Sequence, residues 1–199
     1  MYIMPAEQGA ALERESRYNR IYLSIIERYK AYIEEKESLS VAELPTLITP
    51  KETLIIKKAD EIKMGFSLYT YDINFMEAAK NAFEFVKDQI EEMVLPLQFW
   101  LSPKETLSFM MGDAVDRSLL LCSLLIALGN ASSKVLMIME DEKERRVFVH
   151  CEFNEKIYLF NMEDKIEEFD TPEEMIMYAE INETATAYEF NDHAYYDII

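Results

Sequence analysis

The sequence predicts an α+β fold in which helices come first and an antiparallel sheet follows. Up to Gly129 the apolar residues recur at helical spacing, whereas beyond it they form short alternating segments that are typical of strands. Several helix starts are marked by a Ser or Thr, then a Pro, then a Glu three residues after the first position. A run of helices followed by a run of strands is typical of α+β domains.

The helical part contains five predicted helices with clear boundaries. In chain order they cover residues 10–37, 50–63, 74–93, a short segment after Ser102, and 114–128. The segments Thr49–Leu54 and Ser102–Leu107 are nearly identical, and each predicts a capping box with proline at the first helical position. Pro96 ends the third helix, and Gly129 supplies the C′ residue of the fifth.

The strands follow Gly129 in a simple order. They are predicted at residues 134–140, 146–153, 156–161 and 166–169, with an exposed turn at 141–144 and a further helix from Thr171 to about Glu180. Asn154-Glu155 is a two-residue hairpin connection between the second and third strands. No element is predicted for the last residues. The expected organisation is a helical arm and connection (1–48), a main domain (49–181) and a C-terminal tail (182–199).

Composition excludes several classes of function. The 199 residues carry a formal net charge of −18, and the basic residues form only isolated pairs, so we expect no nucleic-acid ligand and no membrane surface as partner. No apolar run approaches the roughly 18 residues that span a bilayer, and the N-terminus does not resemble a signal peptide, which makes the cytoplasm the expected compartment. Four glycines argue against a Gly-rich phosphate loop, and no cofactor is expected.

The two cysteines, Cys122 and Cys151, cannot build a disulfide framework or a Cys-rich zinc site. Both lie in apolar surroundings, where buried free cysteine is the ordinary interpretation. His150 and His193 share no metal-ligand spacing with other residues. The polar group formed by Asn191, Asp192, His193 and Asp197 is the remaining candidate for a cation and has little support, while the acidic stretch 163–170 is interpreted as a solvated surface. We therefore expect no metal.

The first helix carries an apolar seam. Its members recur at spacings of four, three, four and three, which places them on one side of the helix: Tyr18, Tyr22, Ile25, Tyr29 and Tyr32. The seam either packs on the chain's own core or forms a self-association or partner surface, because tyrosine is favoured at interfaces.

One segment carries a family resemblance. Residues 100–129, WLSPKETLSFMMGDAVDRSLLLCSLLIALG, resemble the core of the transglutaminase-like superfamily, especially its archaeal and bacterial members. That family's pattern is an aromatic residue, a proline-capped short helix, Gly-Asp-Cys-x-Asp and then LL-x-SLL-x-ALG. The resemblance implies a papain-type fold in which a buried helix packs on a small antiparallel sheet. It also implies a catalytic Cys at the N-terminus of that helix, a His at the start of the next strand and an acidic residue on the hairpin partner.

All three catalytic positions differ in this chain. The cysteine position holds Ala114. Counted from the Asn154-Glu155 turn at the family's usual spacing, the histidine and acid positions hold Arg146 and Asn161. A methyl group cannot attack an acyl carbon, arginine stays protonated, and asparagine cannot supply a charge to an imidazolium. The resemblance therefore implies the fold without the family's chemistry.

Other residues of the former groove are candidates for binding. The set expected to line it is Trp100, Asp113, Asp116, Arg146 and His150, and Arg146 is expected to pair with a carboxylate on a partner peptide. Asp113 and Asp116 also have a structural role, since they are expected to cap the buried helix and pair with Arg117 or a neighbouring loop.

Three functions remain open on the sequence alone. The first is a non-catalytic protein-binding or scaffolding module. The second is a cysteine peptidase or amidase that uses a displaced Cys122 or Cys151 with His150. His150 lies about 13 Å along the strand from Arg146, and Cys151 alternates to the opposite face, so this arrangement is disfavoured. The third is a structural subunit that self-associates through the tyrosine seam.

Overall fold

A computed structural model of the chain describes residues 6–37, 41–93, 99–139, 145–181 and 185–198. It divides into two compact units, one built on the first helix, α1 (Ala6–Glu37), and one that contains the other helices and all the strands. Each unit is described by itself. None of the helices described is both long and apolar enough to cross a membrane.

The predicted helices are present in the predicted order. After α1 come a 3-10 helix (Val41–Leu47), α2 (Thr53–Lys63), α3 (Tyr71–Gln89), α4 (Pro103–Phe109), α5 (Ala114–Ala127) and α6 (Pro172–Tyr178). At α4 the predicted capping box forms, because the Ser102 hydroxyl accepts from the Glu105 N–H and the Glu105 carboxylate accepts from the Ser102 N–H. Gly129 ends α5 with a φ of 115°, and a Cβ there would lie 3.0 Å from the Tyr71 ring.

Several helix ends differ from the prediction, since α1 begins at Ala6 and not at residue 10, and α3 begins at Tyr71 and not at residue 74. The capping box at Thr49 was wrong: α2 begins at Thr53 and Glu52 caps it by accepting from the Leu54 N–H at 2.5 Å. The Thr49 N–H instead donates to Ser123 Oγ of α5 at 3.0 Å, a tertiary contact that local sequence cannot reveal. Likewise α3 ends at Gln89 and not Met93, because the chain turns extended at Ile90 and pairs in a short parallel bridge. Pro96 lies outside the described residues.

The sheet has six strands, all paired antiparallel, in the order β6-β5-β4-β3-β7-β8. Its strands are β3 (Lys134–Met139), β4 (Arg145–Phe153), β5 (Lys156–Phe160), β6 (Ile166–Phe169), β7 (Thr186–Phe190) and β8 (Tyr195–Asp197); β1 (Glu91–Glu92) and β2 (Met111–Gly112) form the separate bridge. The predicted β4–β5 hairpin is present, with positive φ at both turn residues, Asn154 and Glu155. The predicted turn at 141–144 lies outside the described residues.

The two faces of the sheet pack against different helices. On one face Val149 and Cys151 of β4 join the core that contains α3 and α5, and Val147 packs against its edge. On the other face Phe148 of β4 packs in a smaller core with residues of α6, among them Ala179. Odd-numbered residues of β4 therefore face α5 and even-numbered ones face α6, as the two-residue period of a strand requires.

Helix α5 is the centre of the larger core. Every residue from Val115 to Leu125 is buried. Its partners are the apolar face of α3, predicted from Phe75 and the alanines that follow, and the α5-facing side of the sheet. The start of α5 is thereby held at one end of β4, which is where the candidate site lies.

Candidate functional site

A cavity of about 340 Å³ lies where the N-terminus of α5 meets the start of β4, the β5–β6 turn and the end of α6. We call it the α5 cavity. The three positions that the resemblance assigns to the lost catalytic residues, Ala114, Arg146 and Asn161, all line it. The fold thus brings together residues that are up to 47 positions apart in the sequence.

Arg146 and Asn161 line the cavity without facing Ala114. Arg146 belongs to the α6-facing side of β4, where its Nη1 donates to the Ala179 carbonyl at 2.6 Å and its Nη2 to the Glu180 carbonyl at 3.0 Å. A cation at carbonyls that end a helix is favoured by the helix dipole. Asn161 Oδ1 accepts from the Glu163 N–H at 3.0 Å and so closes the β5–β6 turn. Both side chains serve the chain's own fold.

The residues that face α5 from these two strands are Val147 and Met162. Both pack on the α5 side of the core and both line the cavity. Val149 pairs with Phe160 in the β4–β5 ladder, and extending that register by two residues in each strand places Val147 opposite Met162. Val147 and Met162 therefore lie on the α5 side of the sheet, whereas Arg146 lies on the α6 side. The sequence signal for this facing is the alternation of apolar residues at Val147, Val149 and Cys151. It indicates that the odd-numbered residues of β4 face the core, which the spacing from the turn does not reveal.

The start of α5 carries a pair of carboxyl groups, of which Asp116 is buried and Asp113 is partly exposed. As predicted, Asp113 caps the helix, accepting from the Asp116 N–H at 2.9 Å while Asp116 accepts from the Asp113 N–H at 3.0 Å. Asp116 is fully buried and also accepts from the Leu101 N–H at 2.7 Å, which is the predicted contact with a neighbouring loop. Arg117 pairs with Glu92 at 3.2 Å. Burial and the Asp113 carboxylate raise the pKa of Asp116 to about 7 despite the backbone hydrogen bonds that lower it.

Of the five residues expected to line the groove, only Arg146 lines the cavity, and the other four lie outside its lining: Trp100, Asp113, Asp116 and His150. The guanidinium of Arg145, which does line it, lies 5.6 Å from the centre of the Trp100 ring, so Trp100 is behind the rim. His150 is buried on the α6-facing side of the sheet, with its Nε2 2.8 Å from Glu189 Oε2. Burial alone raises the pKa of Glu189, but its contacts with His150 and Lys134 outweigh this and lower that pKa to about 2. His150 is therefore part of an internal ion cluster.

Both thiols are buried away from the α5 cavity. Cys122 and Cys151 are fully shielded from solvent, and burial raises the pKa of Cys122 well above its usual value and that of Cys151 to about 12. Cys151 faces α5, whereas His150 faces the other side of the sheet. Such thiols are poor nucleophiles at neutral pH, because the thiolate is the reactive form.

The polar residues near the C-terminus form the turn between β7 and β8. Asn191 Oδ1 accepts from the N–H groups of His193 and Ala194, both at 3.0 Å, and His193 Nε2 lies 3.2 Å from Asp192 Oδ2. Within the described ranges, no group of three or more His, Cys, Asp or Glu side chains is arranged to hold a metal ion.

The buried Asp116 makes stability depend on pH in an unusual direction. Its pKa is raised in the folded chain, so between pH 4 and pH 7 the folded state holds a proton that the unfolded state has lost. The stability that this group contributes is fully present below pH 4 and is lost as the pH rises through 7. Relative to Asp116→Asn, the free energy of unfolding of the native sequence should fall by roughly 2–4 kcal/mol from pH 4 to pH 8.

Urea denaturation across this pH range measures the effect. Asp88→Asn is the matched control, because Asp88 is exposed on α3. A difference between the native sequence and Asp116→Asn that stays flat or rises with pH would contradict the buried protonated carboxyl.

The rate of thiol alkylation distinguishes a position that lines the α5 cavity from cysteines that are buried in the core. In an Ala114→Cys variant, iodoacetamide should alkylate the A114C thiol under native conditions, because position 114 lines an open cavity at a helix N-terminus. Cys122 and Cys151 should remain unmodified until the chain unfolds. Peptide mass spectrometry reads all three sites in one sample, and rapid native alkylation of either natural cysteine would contradict their burial.

Comparison with known proteins supports the fold. Neither the protein-family models nor the sequences of curated proteins give a match. Among solved structures, Legionella pneumophila LapG treated with EGTA superposes with a TM-score of 0.51 at 14% identity, over 81% of this chain and 87% of that one. Calcium-bound LapG from the same organism gives a TM-score of 0.45 at 15% identity, over 72% and 87%. The chain therefore has the transglutaminase-like α+β fold that its sequence predicts.

Proposed function

We propose that this chain is a non-catalytic transglutaminase-like domain that binds a segment of another protein in the α5 cavity. The observation that carries the proposal is the composition of three positions that line the cavity at the start of α5 and on the α5-facing side of the sheet. They are Ala114, Val147 and Met162, and none of these side chains can act as nucleophile, base or acid. If the histidine and acid positions are instead assigned to Arg146 and Asn161, as the spacing from the Asn154-Glu155 turn implies, a catalytic base and acid are again missing.

A displaced-thiol enzyme has less support. It needs a thiol with a lowered pKa beside an accessible histidine. Cys122 and Cys151 are both buried with raised pKa values, and His150 is engaged by Glu189. Among the described residues, neither cysteine therefore forms a solvent-accessible pair with a histidine.

The α5 cavity retains properties that suit a binding site. At about 340 Å³ it falls at the small end of the range for ligand pockets and accommodates one or two amino-acid side chains. Four apolar and six polar residues line it: the apolar ones are Ala114, Val147, Phe148 and Met162, and the polar ones are Arg145, Arg146, Asn161, Glu163, Tyr178 and Glu180. An apolar floor with polar groups around it is a common composition of a recognition site.

A peptide library provides the test. We expect random peptides displayed on phage to be enriched by the immobilised protein and, once synthesised, to bind with dissociation constants of about 1–100 μM, as for other small peptide sites. Ala114→Phe should fill the cavity and weaken them at least tenfold. Ala131→Phe is the matched control, because Ala131 is exposed in the turn after α5. Bound peptides should be recovered intact.

Three results would contradict the proposal. The binding role fails if no peptide is enriched, or if enriched peptides bind Ala114→Phe as well as the native chain. Cleavage or deamidation of the peptides by the purified protein, abolished by Cys122→Ala or Cys151→Ala, would favour the enzyme instead.

A second candidate is a structural subunit that self-associates through α1. Four members of the tyrosine seam are exposed by 48–61% in this chain: Tyr22, Ile25, Tyr29 and Tyr32. The side chain of Tyr18 lies outside the described residues. An apolar stripe on a helix of 32 residues is suited to helix pairing.

Sedimentation velocity distinguishes this candidate. The native chain should show concentration-dependent association that the double substitution Tyr22→Glu and Tyr29→Glu abolishes, because two charges on the seam oppose its burial. Ser24→Glu with Ala31→Glu is the matched control, since both residues are exposed on α1 at the same spacing. A monomer at every concentration, or equal effects of the two double variants, would exclude self-association through the seam.

A further inference from the structure

Four charged residues line the α5 cavity, and their situations differ. Two are arginines at the start of β4 and two are glutamates that follow β5 and α6. Arg146 donates to the carbonyls of Ala179 and Glu180, and Arg145 lies over the Trp100 ring. An incoming carboxylate at Arg146 would therefore have to compete with two hydrogen bonds, whereas Arg145 makes only the cation–π contact.

The two glutamates differ from the arginines in this respect. Glu163 and Glu180 are exposed, and neither carboxylate has an ion-pair partner among the described residues. The nearest lysine in sequence, Lys165, pairs with Glu167 at 2.9 Å. Lys156, which precedes Glu163 in the sequence, forms an ion pair with Asp170. Of the charges at the cavity that have no ion-pair or hydrogen-bond partner in the part of the chain that the structure describes, two are negative, Glu163 and Glu180, and one is positive, Arg145, so their sum is negative.

The field of the whole chain has the same sign. With a net charge of −18, the protein attracts cationic segments and repels anionic ones before contact. The cavity itself adds an apolar floor of Ala114, Val147 and Met162 beside the two glutamates. A matching ligand has an apolar side chain next to a basic one.

We infer that the α5 cavity receives a basic protein segment, with an apolar side chain on the cavity floor and a neighbouring lysine or arginine against Glu163 and Glu180. This inference rests on the proposed function and names the chemistry of its partner. It replaces the expectation that Arg146 meets a partner's carboxylate, because Arg146 holds the end of α6. A basic segment forms its ion pairs without displacing any internal contact.

Three blocked, fluorescent nonapeptides test the partner's charge. Each has a central Leu with two Lys, two Glu or two Ser on each side, and the four remaining positions are the same in all three peptides. Binding is followed by fluorescence anisotropy at 0.15 M NaCl. We expect the Lys probe to bind at least tenfold more tightly than the Glu probe. Glu163→Gln with Glu180→Gln should weaken the Lys probe about five- to tenfold, since exposed ion pairs contribute modestly one by one.

Matched controls separate the cavity from the general field of an acidic protein. Glu77→Gln with Glu84→Gln removes the same charge from exposed positions of α3 and should leave the Lys probe unchanged within twofold. Ala114→Phe should abolish binding of the Lys probe, and its circular-dichroism melt shows whether the variant is folded. Val147→Phe is a second cavity-filling variant in case Ala114→Phe unfolds.

The outcomes distinguish this inference from the proposed function. If the Glu or Ser probe binds best and Ala114→Phe removes that binding, the cavity is a binding site but its partner is not basic. If both double Glu→Gln variants weaken the Lys probe equally, the attraction is not local and the inference is overturned. If no probe and no library peptide binds, the proposed function fails together with the inference.

Discussion

The burial of α5 against one face of the sheet is the constraint on which the rest of the structure depends. Because every residue from Val115 to Leu125 is enclosed, the helix cannot rotate without exposing apolar surface to water. The position of α5 fixes which side of β4 and β5 faces its N-terminus. The strand alternation then places Val147 on the α5 side of the sheet, while Arg146 turns towards the end of α6.

The start of α5 combines structural contacts with Ala114, which stands at the position that the sequence resemblance assigns to a catalytic cysteine. The capping box of Asp113 and Asp116 still anchors the start of α5, and the Leu101 N–H still ties the preceding loop to it. These contacts stabilise the fold irrespective of chemistry, because they satisfy helix N–H groups that would otherwise be buried without partners. Groups that act only on a substrate contribute nothing to stability, so their loss leaves the fold intact.

Much of this fold could be predicted because its signals are local. A few neighbouring residues determine each of these signals. The signals are the helical periodicity, the proline-capped helix starts such as Ser102-Pro103, and the end of α5 at Gly129. The strands β7 and β8 were not predicted, since they are short and owe their conformation to pairing with β3 and with each other. The Thr49 N–H donates to Ser123, which lies 74 residues away, and no local signal contains such a contact.

The candidate site was predicted in part for the same reason. The motif located Ala114 from adjacent residues, and the structure gives it the first position of α5. Assigning its partners required the register and facing of two strands, and an error of one residue in a strand reverses the direction of the side chain. Such facing follows from the packing of α5 and α6 on the two sides of the sheet, which no short motif contains.

The most direct test of this account is the thiol pKa of two paired variants, measured from the pH dependence of alkylation. A histidine facing a thiol across the cavity should stabilise the thiolate and lower its pKa. We expect a lowered pKa in Ala114→Cys with Val147→His, and in Ala114→Cys with Arg146→His the same pKa as in Ala114→Cys alone. A lowered pKa only in the variant with Arg146→His would contradict the facing of β4 and with it the whole assignment of the site.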